Sequence, residues 1–96
     1  MSRDEIISIL HHYKRMNSQK YHLIKLGIFG SFARGEAREN SDIDIVVEQQ
    51  KPDLFILGSI KTELEELLGM PVDVIRLHKR MNPFLKKRID REAIYV

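Results

Sequence analysis

Residues 27–48, GIFGSFARGEARENSDIDIVVE, contain two apolar segments joined by a turn rich in glycine, serine and charged residues. The segments LIKLGIF at 23–29 and DIDIVVE at 42–48 carry apolar side chains at every second position, which is typical of β-strands. This alternation predicts one shared face for Ile24, Leu26 and Ile28 in the first strand, and one for Ile43, Ile45 and Val47 in the second. Between them, SFAR at 31–34 predicts a short helical turn that begins at Ser31 and ends at Gly35. The rest of the chain is interpreted outward from this strand–turn–strand unit.

Helical patterns flank these strands. Residues 2–16 begin with a capping-box spacing, and residues 53–68 place Leu57, Ile60, Leu64 and Leu67 or Leu68 on one side before a glycine stop signal. PVDVIRL at 71–77 predicts a third strand, an Asn-Pro pair predicts a helix from 83 to about 91, and AIYV at 93–96 predicts a short last strand. The predicted fold class is α/β (α+β), with a small mixed sheet of three to four strands flanked by helices.

Composition excludes several classes of protein. With 96 residues, 43% of them hydrophobic and 31% charged, we expect one small globular domain spanning residues 1–96. The absence of cysteine excludes disulfide scaffolds, thiolate metal sites and cysteine nucleophiles. No apolar run reaches the length of a transmembrane helix, and MSRDEIISIL is too acidic for a signal peptide. We therefore expect a cytoplasmic protein with no membrane contact.

Charge is unevenly distributed along the chain. Segment 76–91 contains seven Lys or Arg and one Asp, a net charge of +6, whereas the remainder contains nine Lys or Arg and thirteen Asp or Glu, a net charge of −4. Such a basic segment can bind phosphates, nucleic acid or an acidic protein surface, and it can equally form a solvated helix face. Its role stays open from the sequence.

Polar residues that can carry chemistry cluster around the predicted turn. Gly30 and Ser31 stand where a strand ends and a helical turn begins, so backbone N–H groups and a hydroxyl can face an anion there. Alternation places Asp42 and Asp44 on one strand face, about 6.5–7 Å apart along the strand. Asp73 adds a third carboxylate if the third strand lies beside the second.

Two or three carboxylates gathered without cations favour a site for a hard cation. Mg²⁺ takes one or two carboxylates and completes its shell with water and phosphate oxygens, and three carboxylates suffice for two ions about 3.5–4 Å apart. Asp73 is also a candidate to accept the proton of an attacking hydroxyl. Each motif alone has an ordinary explanation, a plain turn or solvent-facing acids, but their combination favours a phosphate and metal site.

The spacing of a Gly-Ser pair, ten residues, and then DxD resembles the signature of the DNA-polymerase-β-like nucleotidyltransferase superfamily. GSFARGEARENSDIDIVVE and the downstream LEELLGMPVDVI resemble its smallest members, the minimal nucleotidyltransferases, over most of the chain. The resemblance implies a polymerase-β-like core in which Gly30 and Ser31 hold nucleotide phosphates. It further implies that Asp42, Asp44 and Asp73 form the catalytic triad that binds one or two Mg²⁺ ions.

Arg34 belongs to the same motif, and the resemblance makes it a candidate contact for the nucleotide phosphates. From the residues alone, Arg34 can equally pair with Glu36 or Glu39. Both interpretations of Arg34 stay open at this point.

The resemblance also implies a function. Minimal nucleotidyltransferases commonly pair with HEPN-domain ribonuclease toxins, and several act as antitoxins that transfer AMP from ATP to a tyrosine of the toxin. We therefore expect a Mg²⁺-dependent protein adenylyltransferase with ATP as substrate and a HEPN-domain toxin as partner. Because larger relatives carry a further domain for the acceptor, the acceptor of a domain this small is expected to come from the partner.

Two alternatives remain. The chain can be a catalytically silent antitoxin that acts by binding alone, or a nucleotidyltransferase that acts on RNA or a small molecule. The absence of clear interleaving between aromatic and basic residues argues against nucleic acid as a direct substrate.

Overall fold

The computed structural model describes residues 1–96, and four helices and four strands follow one another in the predicted order. The elements are α1 (Arg3–Tyr21), β1 (Leu23–Phe29), α2 (Gly30–Arg34), β2 (Ile43–Gln49), α3 (Leu54–Leu68), β3 (Val72–Arg76), α4 (Pro83–Glu92) and β4 (Ile94–Tyr95). None of these helices combines the length and apolar character needed to cross a membrane.

Helix α1 is longer than the sequence pattern predicts, because it continues beyond residue 16 to Tyr21. Residues 17–20 are polar and therefore show no apolar period, but they include neither glycine nor proline. Tyr21 is buried, and its hydroxyl donates to the Glu63 carboxylate on α3 at 2.8 Å. His22 follows as the C-terminal cap of the helix and adopts the left-handed conformation.

The four strands form one mixed sheet in the order β3-β2-β1-β4. Strands β2 and β3 are parallel, whereas β1 is antiparallel to both β2 and β4. The short β4 lies against Gly27, where a side chain would collide with the backbone of Ile94. This topology confirms the predicted mixed sheet and places the third strand beside the second.

Both faces of the sheet are covered. Ile43, Ile45 and Val47 of β2 are fully buried in the main core against α1 and α3. On the opposite face, Val46 packs with Ile89 of α4 in a smaller cluster. The aspartates of β2 and β3 therefore share the face of the sheet that α4 partly covers.

Two side chains differ from the predicted faces. Ile24 was expected beside Leu26 and Ile28, but this prediction is wrong because Ile24 is 49% exposed. A register irregularity between Leu23 and Lys25 turns Leu23 inward in its place.

Candidate active site

Asp44 and Asp73 are direct partners in the parallel pairing of β2 with β3. Residues in register on neighbouring parallel strands point to the same face, and such strands lie about 4.8 Å apart. The next residues on that face, Val46 and Ile75, both pack in the cluster beneath α4. The fold therefore brings the carboxylates of Asp44 and Asp73 side by side at the beginning of the two strands.

Asp42 lies just outside the strand, which begins at Ile43 rather than at residue 42 as the pattern predicts. Its side chain is exposed, and its charge contributes to the electrostatics of Asp44. No group of three or more His, Cys, Asp or Glu side chains is arranged to hold a metal ion as it stands. Asp42, Asp44 and Asp73 thus lie at the end of the sheet where β2 and β3 begin, without forming a closed set of ligands.

The environment of Asp44 disfavours its charged form. Partial burial raises the pKa of Asp44 above its ordinary value, and the neighbouring charge of Asp73 raises it further. Arg88 of α4 acts in the opposite direction and lowers this pKa. A carboxylate that is partly desolvated beside a second carboxylate is a typical feature of functional sites.

The Asp44 carboxylate packs directly against the backbone of Gly30. A Cβ at position 30 would overlap Oδ2 of Asp44, and Gly30 has a φ of +76°, in the left-handed region that favours glycine. Ser31 follows directly at the beginning of α2 and is partly exposed. Gly30 and Ser31 together form what we call the Gly-Ser corner. The structure places this corner in contact with Asp44, one of the two paired aspartates.

Arg34, at the end of α2, lies on the same side of the molecule. Its Nε donates to Glu36 at 3.2 Å, and its Nη1 donates to Glu92 at 3.0 Å. The hydrogen bond to Glu36 raises the pKa of Arg34, and the charge of Glu92 adds to this effect. Of the two partners weighed from the sequence, Glu36 is correct, whereas Glu39 makes no ion pair with Arg34.

Glu92 is the residue at this site that the sequence analysis missed. Its Oε1 accepts the Gly30 backbone N–H at 3.1 Å as well as Nη1 of Arg34, and its side chain is only 10% exposed. It belongs to no motif and lies just past the basic segment. The available signal was helical spacing, since Glu92 follows the buried Ile89 by three residues and therefore shares its face of α4.

Arg88 connects the basic segment to the site. Its guanidinium carbon lies 5.7 Å from the centre of the Phe29 ring, and its Nη2 lies 3.8 Å from Glu92 Oε1. By contrast, Lys86 on the same helix pairs with Asp90 on the exposed side. At least one cation of the segment 76–91, Arg88, therefore contributes to the electrostatic environment of Asp44.

A mixed sheet carrying paired aspartates beside a Gly-Ser corner is the arrangement expected of a nucleotidyltransferase. The family model of the nucleotidyltransferase domain matches residues 10–96, and the chain belongs to this family. This membership confirms the family expected from the sequence and implies a nucleotide substrate.

Its relatives include named protein adenylyltransferases. A predicted protein adenylyltransferase of Methanocaldococcus jannaschii is 40% identical over 93 residues, covering 96% of this chain and 95% of the relative. Protein adenylyltransferase MntA of Thermococcus cleftensis is 35% identical over 97 residues, covering 100% of this chain and 97% of the relative.

Solved structures share the fold. A predicted minimal nucleotidyltransferase matches with a TM-score of 0.80 and 32% identity, covering 98% of this chain and 95% of that one. A structure of the tri-AMPylated HEPN toxin of Shewanella oneidensis in complex with MNT antitoxin contains a chain that matches with a TM-score of 0.71 and 19% identity. That match covers 97% of this chain and 70% of the other, and it concerns the fold alone.

Proposed function

We propose that this chain is a Mg²⁺-dependent protein adenylyltransferase that moves AMP from ATP to a tyrosine hydroxyl of a HEPN-domain ribonuclease toxin, and so acts as its antitoxin. In this proposal residues 1–96 work as one catalytic domain. Support comes from the relative MntA, a protein adenylyltransferase similar along its whole length. The observation that carries the proposal is the register pairing of Asp44 with Asp73 beside Gly30.

The aspartates fit a magnesium ion by their chemistry. Asp42, Asp44 and Asp73 offer only carboxylate oxygens, the ligands that Mg²⁺ prefers, and their open arrangement leaves room for water and phosphate oxygens. Burial and the charge of Asp73 make the ionised form of Asp44 unfavourable, and a bound cation relieves both effects. When bound there, Mg²⁺ supplies charge neutralisation for the triphosphate and the departing pyrophosphate.

Gly30, Ser31 and Arg34 are proposed to bind the nucleotide phosphates. The Gly30 N–H and the Arg34 guanidinium already converge on one carboxylate oxygen, that of Glu92, so both donors are oriented toward an anion. Hydrogen bonds from a guanidinium and a backbone amide to an anionic oxygen are among the stronger ones in proteins. Ser31 adds a hydroxyl next to them.

In the proposed transfer step, the acceptor hydroxyl lies near Asp73. The oxygen of the acceptor hydroxyl attacks the α-phosphorus of ATP, the bond from that phosphorus to the bridging oxygen breaks, and pyrophosphate leaves. The hydroxyl proton passes to the carboxylate of Asp73, whose exposed position allows a partner side chain to reach it. Holding the nucleotide in line with the acceptor is the main contribution of the remaining residues.

The test is a transfer assay with the cognate HEPN-domain protein. Incubation with ATP and Mg²⁺ should increase the mass of the partner by one or more AMP groups and suppress its ribonuclease activity. The variant Asp44→Asn should still bind the partner but leave its mass unchanged. An unmodified partner that is nevertheless inhibited would identify a binding-only antitoxin, and AMP added to RNA instead of to the partner would identify a different acceptor. Either result contradicts the proposal.

A further inference from the structure

We infer that Glu92 is a built-in competitor for nucleotide phosphate: its carboxylate occupies the Gly30 and Arg34 donors in the free protein and is displaced when a phosphate binds. This inference rests on the proposed function, because it assumes that these donors bind phosphate. It assigns a role to a residue that lies outside the Gly-Ser and DxD motifs.

The Glu92 carboxylate is held by donors in the way that a protein holds a bound anion. A single oxygen, Oε1, accepts both the Gly30 N–H at 3.1 Å and Arg34 Nη1 at 3.0 Å, and Arg88 Nη2 lies 3.8 Å from it. With 10% of its side chain exposed, Glu92 is largely excluded from water. One carboxylate oxygen therefore has the donors that a phosphate oxygen would need in the same place.

Competition follows from the number of donors. Gly30 has one N–H, so a phosphate oxygen can take it in good geometry only after Glu92 has moved aside. The negative charge of Glu92 also disfavours the ionised form of Asp44, where the proposed metal binds. The need to displace Glu92 therefore lowers the apparent affinity by the same factor for every ligand that binds the Gly30 and Arg34 donors. Ligands without a phosphate are unaffected.

This arrangement has a consequence for turnover. After transfer, pyrophosphate must leave the corner, and the return of Glu92 to its donors favours that release. In this inference, Glu92 weakens the binding of the product pyrophosphate.

A purely structural role makes the opposite prediction. If Glu92 served only to attach the end of α4 to Gly30 and Arg34, its removal would loosen the corner and weaken phosphate binding. The direction of the change in affinity therefore separates the two roles.

The experiment measures binding of ATP, inorganic pyrophosphate and adenosine to the full chain by calorimetry, for wild type and Glu92→Gln. We expect Glu92→Gln to bind ATP and pyrophosphate about two- to fivefold more tightly, the upper part of the effect of removing one partner of a screened ion pair. Adenosine, which has no phosphate, should bind both proteins equally. The matched control Asp90→Asn removes the same charge from an exposed position that pairs with Lys86, and should change none of these affinities.

A second variant and a second readout cover the case in which Glu92→Gln does not fold. Glu92→Asp keeps the charge but withdraws the carboxylate by one methylene, and should tighten pyrophosphate binding by a smaller factor. In the wild type, pyrophosphate should shift the ¹³C resonance of the Glu92 carboxyl group.

The outcomes separate the two proposals. Unchanged or weaker binding of pyrophosphate to a folded Glu92 variant, or an unshifted Glu92 resonance in the saturated wild type, overturns the competitor role alone. If neither the wild type nor the variants bind ATP or pyrophosphate, the proposed function fails as well.

Discussion

Asp44 and Asp73 are directly paired across the parallel strands β2 and β3, and the carboxylate of Asp44 also rests against the backbone of Gly30. Like charges directly opposite one another destabilise a strand pair. The two residues also stand at positions that aspartate seldom occupies in strands. Such an unfavourable pair is expected where function requires it. The closeness of the two carboxylates also makes the stability of the chain sensitive to pH.

We expect the Asp44→Asn variant to be more stable than the wild type at neutral pH in metal-free buffer. The pKa of Asp44 is raised in the folded state by burial and by Asp73, so the folded protein binds this proton more tightly than the unfolded chain does. The unfavourable contribution of Asp44 is therefore fully present above the raised pKa. It disappears as the pH falls through that value toward the ordinary pKa of an aspartate.

Urea unfolding from pH 3 to pH 8 in the presence of a chelator measures this contribution. The free-energy difference between Asp44→Asn and wild type should be largest at the neutral end and shrink toward acid. A difference that is independent of pH, or that increases toward acid, would contradict the assigned environment of Asp44.

The order of the elements and most of the core were predictable from the sequence. Periodicity placed Ile43, Ile45 and Val47 on one face, and the glycine stop signal at Gly69 marked the end of α3. These features depend on local physics, namely side-chain alternation and the hydrogen bonds at helix ends. The structure agrees because tertiary packing and local preference favour the same conformation there.

What the sequence did not predict depends on contacts between distant parts of the chain. Glu92 contacts Gly30 across 62 positions of the sequence, and no local pattern encodes that approach. The exposure of Ile24 likewise follows from a register irregularity in the pairing of β1 with β2, which involves both strands. The residues Asp42, Asp44 and Asp73 were nominated by motif and alternation, but the register between Asp44 and Asp73 required the assembled sheet.

Gly30→Ala is expected to disrupt both the fold and the site. The added methyl group would overlap the Asp44 carboxylate, and alanine would have to adopt a φ of +76°. Backbone strain of this kind costs about 1–3 kcal/mol, so the midpoint of urea unfolding should fall markedly. Nucleotide transfer should be lost, because Asp44 can no longer keep its position.

The matched control for that substitution is Gly58→Ala. Gly58 lies within α3, and a methyl group there would meet nothing within 4 Å beyond the adjacent backbone of its own helix. Alanine in a helix interior is more favourable than glycine by about 0.5–1 kcal/mol, so this variant should be slightly more stable than the wild type. Equal effects of the two substitutions would show that the Gly30–Asp44 contact is unimportant.

Removing any one of the three aspartates should weaken binding of a divalent ion. Titration with Mn²⁺, followed by electron paramagnetic resonance in the presence of ATP, reports the affinity directly. Asp42→Asn, Asp44→Asn and Asp73→Asn should each lower it by about 10- to 100-fold, at least the effect of losing an outer-shell partner of a metal. Glu66→Gln removes the same charge from an exposed position on α3, which packs on the opposite face of the sheet, and should have little effect.

If only one of the three aspartate variants changes the affinity for Mn²⁺, the proposed ligand set is wrong. Asp42 provides the most informative case, because it lies outside the strand and is exposed in the free protein. A normal affinity in Asp42→Asn would restrict the site to the paired residues Asp44 and Asp73.

Arg34→Gln should lower the affinity for ATP by about tenfold, because it removes a charge-assisted hydrogen bond to phosphate. Arg38→Gln is the matched control, since Arg38 is exposed in the neighbouring loop and its side chain makes no ion pair. Both substitutions lower the net charge by one, so a general electrostatic effect would change the two affinities equally. Calorimetric titration with ATP distinguishes these outcomes, and equal affinities in the two variants would exclude Arg34 as a specific phosphate contact.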